Sequence, residues 1–178
     1  MVTNIILAVA ALLAVFLVVV ALRPSTYRVS RSISVNASPG TVFDHVNVMQ
    51  RWQKWSPFEN VDPAMKRVFE GPEAGGGAVY RWEGNHQIGT GSNTIVESRP
   101  NELIRFKLEM LKPHCGTNDV DFQFQPDAQG TKVTWTMQGR LNFITKIIDL
   151  IIGMDAMIGR QFQEGLKQLK LVAENEPA

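Results

Sequence analysis

The run LNFITKIIDLIIGMDAMIGRQFQEGLKQLKLVA, residues 141–173, decides how the rest of the chain is read. Apolar residues recur at Met154, Ile158, Phe162, Leu166, Leu169 and Val172. Steps of three and four place them on one face of a helix. Asp155, Arg160, Gln163, Glu164, Lys167 and Lys170 take most of the remaining circumference. Glu164 and Lys167 are spaced to form a helix-surface pair in the favourable order. One long helix over 141–173 is expected, with Gly153, Gly159 and Gly165 along it. A helix of this length needs a broad apolar surface to lie against.

Alternating segments supply that surface. Tyr27, Val29, Ile33 and Val35 share one side of a strand, with Arg31 as a polar exception among them. Ser38 is suited to cap a short helix, with Pro39 in its first position and Val42, Phe43 and Val46 on its apolar face. A second short helical piece follows around 49–52, and Pro57 ends it. From 62 to 139 the punctuation is that of a meander, with turns at Gly71-Pro72, Gly75-Gly76-Gly77, between Gly84 and Gly91, and at Pro100-Asn101. Ile104, Phe106, Leu108 and Met110 alternate with Arg105, Lys107 and Glu109. Val120, Phe122 and Phe124 alternate with Asp119, Asp121 and Gln123. The turn Asp127-Ala128-Gln129-Gly130 leads to Val133, Trp135 and Met137, which alternate with Lys132, Thr134, Thr136 and Gln138. One wet face and one apolar face describe an antiparallel sheet covered on one side. The expected order is strand, two short helices, about six strands, long helix. That is an α+β arrangement in which a curved sheet wraps round the closing helix, and an imperfect fit between them leaves a pocket.

The chain has 178 residues and a formal net charge of +1, so no basic excess points to nucleic acid. Residues 1–22 carry no charged side chain, and the run from Ile5 to Leu22 is almost wholly apolar. As a helix it would span about 27 Å, close to the bilayer's hydrocarbon thickness of about 30 Å. The length of the run, the lack of a basic flank before it and the lack of a small-x-small site after it favour an anchor over a cleaved signal peptide. The expected organisation is a transmembrane anchor over 1–24 and a folded domain over 25–175. Arg23, Arg28 and Arg31 follow the span, and the positive-inside rule then leans toward a single-pass protein with a cytoplasmic domain.

Several motifs together carry a family resemblance. They are Trp52-Gln53-Lys54-Trp55-Ser56-Pro57-Phe58, the Gly71-Pro72 turn with Gly75, and Gly77-Ala78-Val79-Tyr80-Arg81-Trp82-Glu83-Gly84. Gly89-Thr90-Gly91, Lys132-Val133-Thr134-Trp135-Thr136-Met137 and the closing helix complete the set. In this order and spacing the chain, over residues 27–173, resembles the polyketide cyclase/dehydrase and lipid-transport family. That family belongs to the START-like (SRPBCC) superfamily, which includes the major birch pollen allergen. The resemblance implies the helix-grip fold, with a hydrophobic cavity between sheet and last helix. It does not choose among enzyme, lipid carrier and binding protein.

Ligand-lining positions follow from the inward faces: Trp52, Trp55, Tyr80, Trp82, Phe106, Leu108, Phe122, Trp135, Met137, Met154, Ile158 and Phe162. Trp52 and Trp55 can turn their rings to one side, either to pack or to gate a ligand. Met110 and Met157 are further candidates, because the soft Met side chain suits a variable apolar ligand. His45, His86 and His114 lie in different elements, without metal-ligand spacing. His45, beside Asp44, is expected at the surface. Cys115 is expected to be a buried, inert thiol, and a thiolate activated by adjacent His114 is disfavoured by their opposite directions in a strand. The Gly-rich turns lack the setting and the Lys of phosphate loops. Arg81, Glu83, Glu97 and Glu109 would reach a cavity only if a strand face were inverted. No catalytic motif, metal site or cofactor is called for.

The first expectation is therefore a membrane-anchored binding module for a lipid or other small hydrophobic molecule. A cyclase or dehydratase acting on a hydrophobic substrate is the alternative, and it requires an acid or base in the pocket. A protein-interaction or assembly role is the third, signalled by an exposed apolar patch. Ile147, Ile148, Ile151, Ile152, Met154, Met157 and Ile158 exceed what one core-facing stripe needs. That half of the helix is expected to meet the pocket mouth or the membrane as well as the sheet.

Overall fold

The alternating segments form seven strands: β1 (Thr26–Val35), β2 (Lys66–Glu70), β3 (Val79–Glu83), β4 (Thr90–Arg99), β5 (Leu103–Lys112), β6 (Gly116–Asp127) and β7 (Gly130–Arg140). All pair antiparallel in one sheet of order β1-β7-β6-β5-β4-β3-β2. The structure, a computed structural model, describes residues 1–113, 115–128 and 130–176. The helices are α1 (Val2–Leu22), α2 (Pro39–Asn47), α3 (Phe143–Ile151) and α4 (Met154–Glu174), with 3-10 turns at Met49–Lys54 and Pro57–Asn60. Bulges in β4 at Thr90/Gly91 and Ile95/Glu97 add to the bend of the sheet. α4 lies in the hollow against β1, β7, α2 and the two 3-10 turns. This is the curved sheet round a closing helix that the periodicities imply, in the helix-grip form that the family resemblance implies.

Local chemistry explains the elements that hold the hollow open. Ser38 Oγ accepts from Thr41 N (3.2 Å) and caps α2, with Pro39 in its first turn. α2 ends with carbonyls that no helical amide can reach. The Trp52 and Trp55 indoles donate to two of them, Val46 O (2.8 Å) and His45 O (2.9 Å). The tryptophans are thereby fixed to α2 while their rings turn under the sheet. Pro57 opens the second 3-10 turn, and the first has already ended at Lys54.

The closing segment is two helices, which corrects the expectation of one over 141–173. Gly153 adopts φ +80°, a conformation that glycine reaches without steric cost. Asp149 Oδ1 accepts from Met154 N (2.9 Å) and serves the free first turn of α4. Arg31, the polar exception in β1, explains how α4 is then set. Its guanidinium makes a two-pronged pair with Asp155, 2.8 Å on each arm. It occupies the space that a side chain at Gly159 would need. Farther along, Phe162, Leu166 and Leu169 are buried as the period requires, whereas Val172 is half-buried and its neighbour Ala173 is buried. Glu164 accepts from Gln168 Nε2 (3.1 Å), its partner within α4.

Two surface expectations are also corrected. His45 is 1% exposed. It stands three residues after Val42 and therefore shares that residue's inward face. Its Nε2 lies 2.7 Å from Glu176 Oε2, yet burial outweighs this carboxylate and holds the imidazole below its usual pKa. Cys115 is exposed, with Sγ 3.3 Å from Leu111 O. His114, Gln129 and residues 177–178 lie outside the described residues, and so does any His114–Cys115 pairing.

Gly165 tests how closely α4 is gripped. A Cβ there would come 2.7 Å from Pro57 Cδ and 2.8 Å from the Trp135 ring. Helix propensity alone favours Gly165→Ala by about 1 kcal/mol. Overpacking costs about 1–3 kcal/mol, and we expect it to win. Denaturant unfolding of the full-length protein in detergent should show Gly165→Ala less stable than wild type. A gain of stability would mean that α4 is free to shift.

Candidate functional site

One register row across the sheet builds the polar side of the site. Tyr27 pairs with Gly139, Gly139 with Asn118, Asn118 with Leu108, Leu108 with Asn93, and Asn93 with Tyr80. Residues in one row of a sheet point to the same face. Gly139 leaves room for Tyr27 to lean across and donate from its hydroxyl to Asn118 Oδ1 (2.9 Å). Burial pushes the Tyr27 phenol up to about 12, so it remains a neutral donor. Neighbouring rows are aromatic and aliphatic.

Between this face and α4 lies a cavity of about 540 Å³. Small-molecule sites span about 300–1,000 Å³. Its floor is the sheet, its roof is Met154, Met157, Ile158, Gln161 and Phe162, and its end wall is Trp52, Trp55, Ser56, Phe58 and Glu59. A smaller hollow of about 200 Å³ beside Met49, Phe69 and Pro72 opens at the β2–β3 hairpin, away from α4. Trp135 divides packed core from open cavity. Phe162 stacks on it with ring centroids 4.0 Å apart, and Phe122 stacks at 4.7 Å. Its Nε1 is buried and has no hydrogen-bond partner among the described residues.

Glu59 is the buried carboxylate of the wall. Oε1 accepts from the Tyr80 hydroxyl (2.6 Å) and Oε2 from Arg67 Nε (2.7 Å). Arg67 also donates to Met65 O (2.8 Å). Burial first, and then the Glu59 carboxylate, raise the Tyr80 pKa well above the ordinary phenol value. Phe69 stacks on Tyr80 at 5.0 Å and seals the outside of the cluster. Both carboxylate oxygens are thus engaged, and the phenol stays protonated.

Of the positions expected to line the site, Trp52, Trp55, Tyr80, Trp82, Leu108, Phe122, Trp135, Met137, Met154, Ile158 and Phe162 all border the cavity. Phe106 does not. It is fully buried behind the wall, edge-on to Trp52 at 5.1 Å. Met110 and Met157 also line it. Arg81 and Glu83 are exposed, and Glu97 is tied to Arg105 at 2.7 Å, so the strand faces are not inverted. The sequence reading did not find Tyr27, Glu59, Asn93 or Asn118. Asn118 lies two residues before Val120 on the inward side, and that parity was the available signal. No group of three or more potential metal ligands occurs among the described residues.

A family model, "Polyketide cyclase / dehydrase and lipid transport", matches residues 26–174, and the chain belongs to that family. Solved structures share the fold at low identity. A protein from Chromobacterium violaceum is 18% identical, with 86% of this chain and 100% of that one covered at a TM-score of 0.60. The Aha1 dimer from Colwellia psychrerythraea is 14% identical, covering 84% and 99% at 0.56. The di-domain ARO/CYC BexL from the BE-7585A biosynthetic pathway is 18% identical, covering 89% and 53% at 0.60. This chain therefore spans about half of that two-domain protein. No curated protein is significantly similar in sequence.

Removing Glu59 should expose the cost of the cluster. Glu59→Ala leaves the Tyr80 hydroxyl and the Arg67 guanidinium without their acceptor, at a cost on the order of 3 kcal/mol. Glu59→Gln keeps an acceptor for Tyr80 and should cost less. Urea unfolding monitored by tryptophan emission should rank wild type above Glu59→Gln above Glu59→Ala. Equal stability of all three would remove the cluster from the account of the wall.

Proposed function

We propose that this protein is a membrane-anchored binding module that holds one lipid or other small hydrophobic molecule between sheet and α4. The carrying observation is the 540 Å³ cavity, apolar on most sides with one polar row. That division suits a neutral or weakly polar amphiphile. The apolar part would lie against Trp55, Phe122, Met137 and Ile158, where burial contributes roughly 25 cal/mol per Å². The head would meet Tyr27, Asn93 and Asn118. Glu59 is already neutralised by Arg67, so no free charge in the wall demands a charged ligand. α1 supports the anchoring: its most apolar 18-residue stretch has a mean hydropathy of 3.4, and Val20 is its one buried residue. We assign residues 1–24 to the anchor and 25–175 to the binding domain, and the arginines after the span favour the cytoplasmic side. A tether of this kind raises the local concentration of a membrane-derived ligand at the cavity.

A second reading, cyclisation or dehydration of a hydrophobic substrate, draws on the family description and on Tyr80 and Glu59 in the wall. It ranks second on chemical grounds. A base must reach the proton it abstracts, whereas both Glu59 oxygens are turned to the Tyr80 hydroxyl and the Arg67 guanidinium.

Titration of an environment-sensitive fluorescent fatty alcohol into the full-length protein in detergent tests the binding reading. Wild type should take up one equivalent saturably. Val120→Phe and Leu108→Phe, which fill the cavity from its floor, should weaken uptake by about tenfold, or about 1.4 kcal/mol. Unsaturable uptake by wild type, or unchanged affinity in both variants, would count against a ligand in this cavity.

A further inference from the structure

We propose that α3 is an interfacial helix, lying in the headgroup–acyl boundary of the bilayer that α1 spans and holding the cavity mouth at the lipid surface. The inference rests on the anchor reading above. α3 is amphipathic with its faces reversed. Lys146 is 9% exposed and turned inward, whereas Ile151 is 71% exposed. Phe143, Ile144 and Ile152 are exposed with it. A helix of a soluble domain buries its apolar stripe, and here the polar side has the protein contacts.

Those contacts lead to the end of the apolar span. Lys146 Nζ donates to Ala21 O (3.4 Å), and Asp149 Oδ2 accepts from Arg23 Nη2 (2.9 Å). Leu141 N, just before α3, donates to Ser25 O (2.8 Å). α3 packs against α1 and is thereby held beside the last residues of the span. In a spanning helix that level is the bilayer interface, where amphipathic helices bury an apolar face about 5–10 Å deep. The occupant of the exposed face follows from this continuity: the same lipid that covers α1 covers Ile144 and Ile151.

The cavity opens next to this face. Met157, in the first turns of α4, both lines the cavity and is exposed. Only Gly153 separates Ile151 and Ile152 from α4, so the apolar surface runs from α3 to Met157 without a charged residue except Asp155, which Arg31 engages. A ligand leaving the bilayer would then enter without crossing water.

The test uses full-length protein with Cys115→Ser and a single new cysteine, Ile151→Cys or Ile144→Cys on α3, or Lys167→Cys on the solvent side of α4. Each is labelled with the fluorophore NBD and reconstituted into phosphatidylcholine–phosphatidylglycerol vesicles carrying a headgroup-region nitroxide lipid. Both α3 probes should emit to the blue of the Lys167 probe and be quenched several-fold more strongly. Quenching at both α3 sites no greater than at Lys167 overturns the proposal. So does an α3 probe shielded from lipid and from aqueous iodide alike, the signature of a protein partner on this face. Carbonate-resistant retention in the vesicles registers α1 separately, and release by carbonate overturns both anchor and interfacial helix. Quenching does not depend on ligand uptake. Quenching without uptake therefore removes the binding reading alone, and uptake without quenching removes the interfacial helix alone.

Discussion

The site depends on α4 being gripped at its first turn and again around its middle, with the cavity under the residues between. At its start the Arg31–Asp155 pair ties the first turn to β1. Around its middle, Trp135 is stacked between Phe122 and Phe162, and Gly165 lets the helix backbone close on Trp135 and Pro57. Interiors pack to about 0.75 of their volume, so a gap this large persists only where the surrounding elements are fixed independently. The two tryptophans of the 3-10 turn are fixed in that way, through α2 carbonyls that no helical amide reaches. Grip, end wall and curved floor together make a cavity that neither sheet nor helix would hold alone.

The chemistry of that cavity comes from a few polar groups held in a largely apolar wall. Tyr27 and Asn118 satisfy each other, and Glu59, Tyr80 and Arg67 form a closed cluster. Buried polar groups are tolerated when partnered and costly when not. A satisfied wall of this kind favours reversible occupancy over proton transfer. The buried indole N–H of Trp135, without a partner among the described residues, shows that the satisfaction is not complete.

Much of this was legible in the sequence because period and parity report burial directly. The alternation in β5, β6 and β7 assigned one inward face that the structure keeps, and the helical period marked Phe162, Leu166 and Leu169. Where the reading failed, tertiary contacts had overridden local pattern. The apolar period ran through Gly153, but positive φ there and the Asp149 cap split the helix. Phe106 has the right parity, but Trp52 stands between it and the cavity wall. Glu59 follows a proline in a 3-10 turn with no periodicity to assign it a face, and only the fold brings it to Tyr80. His45 looked like a surface residue beside Asp44, although its step from Val42 already placed it inward.

The central claim is that the space under α4 is a ligand site and not a packing defect. Native mass spectrometry of the full-length protein, released from mild detergent, addresses this most directly. The account predicts a mass increment of one small amphiphile per chain, persisting after α1 detergent is stripped and lost on unfolding. A bare chain mass throughout, from protein that remains folded, would contradict it.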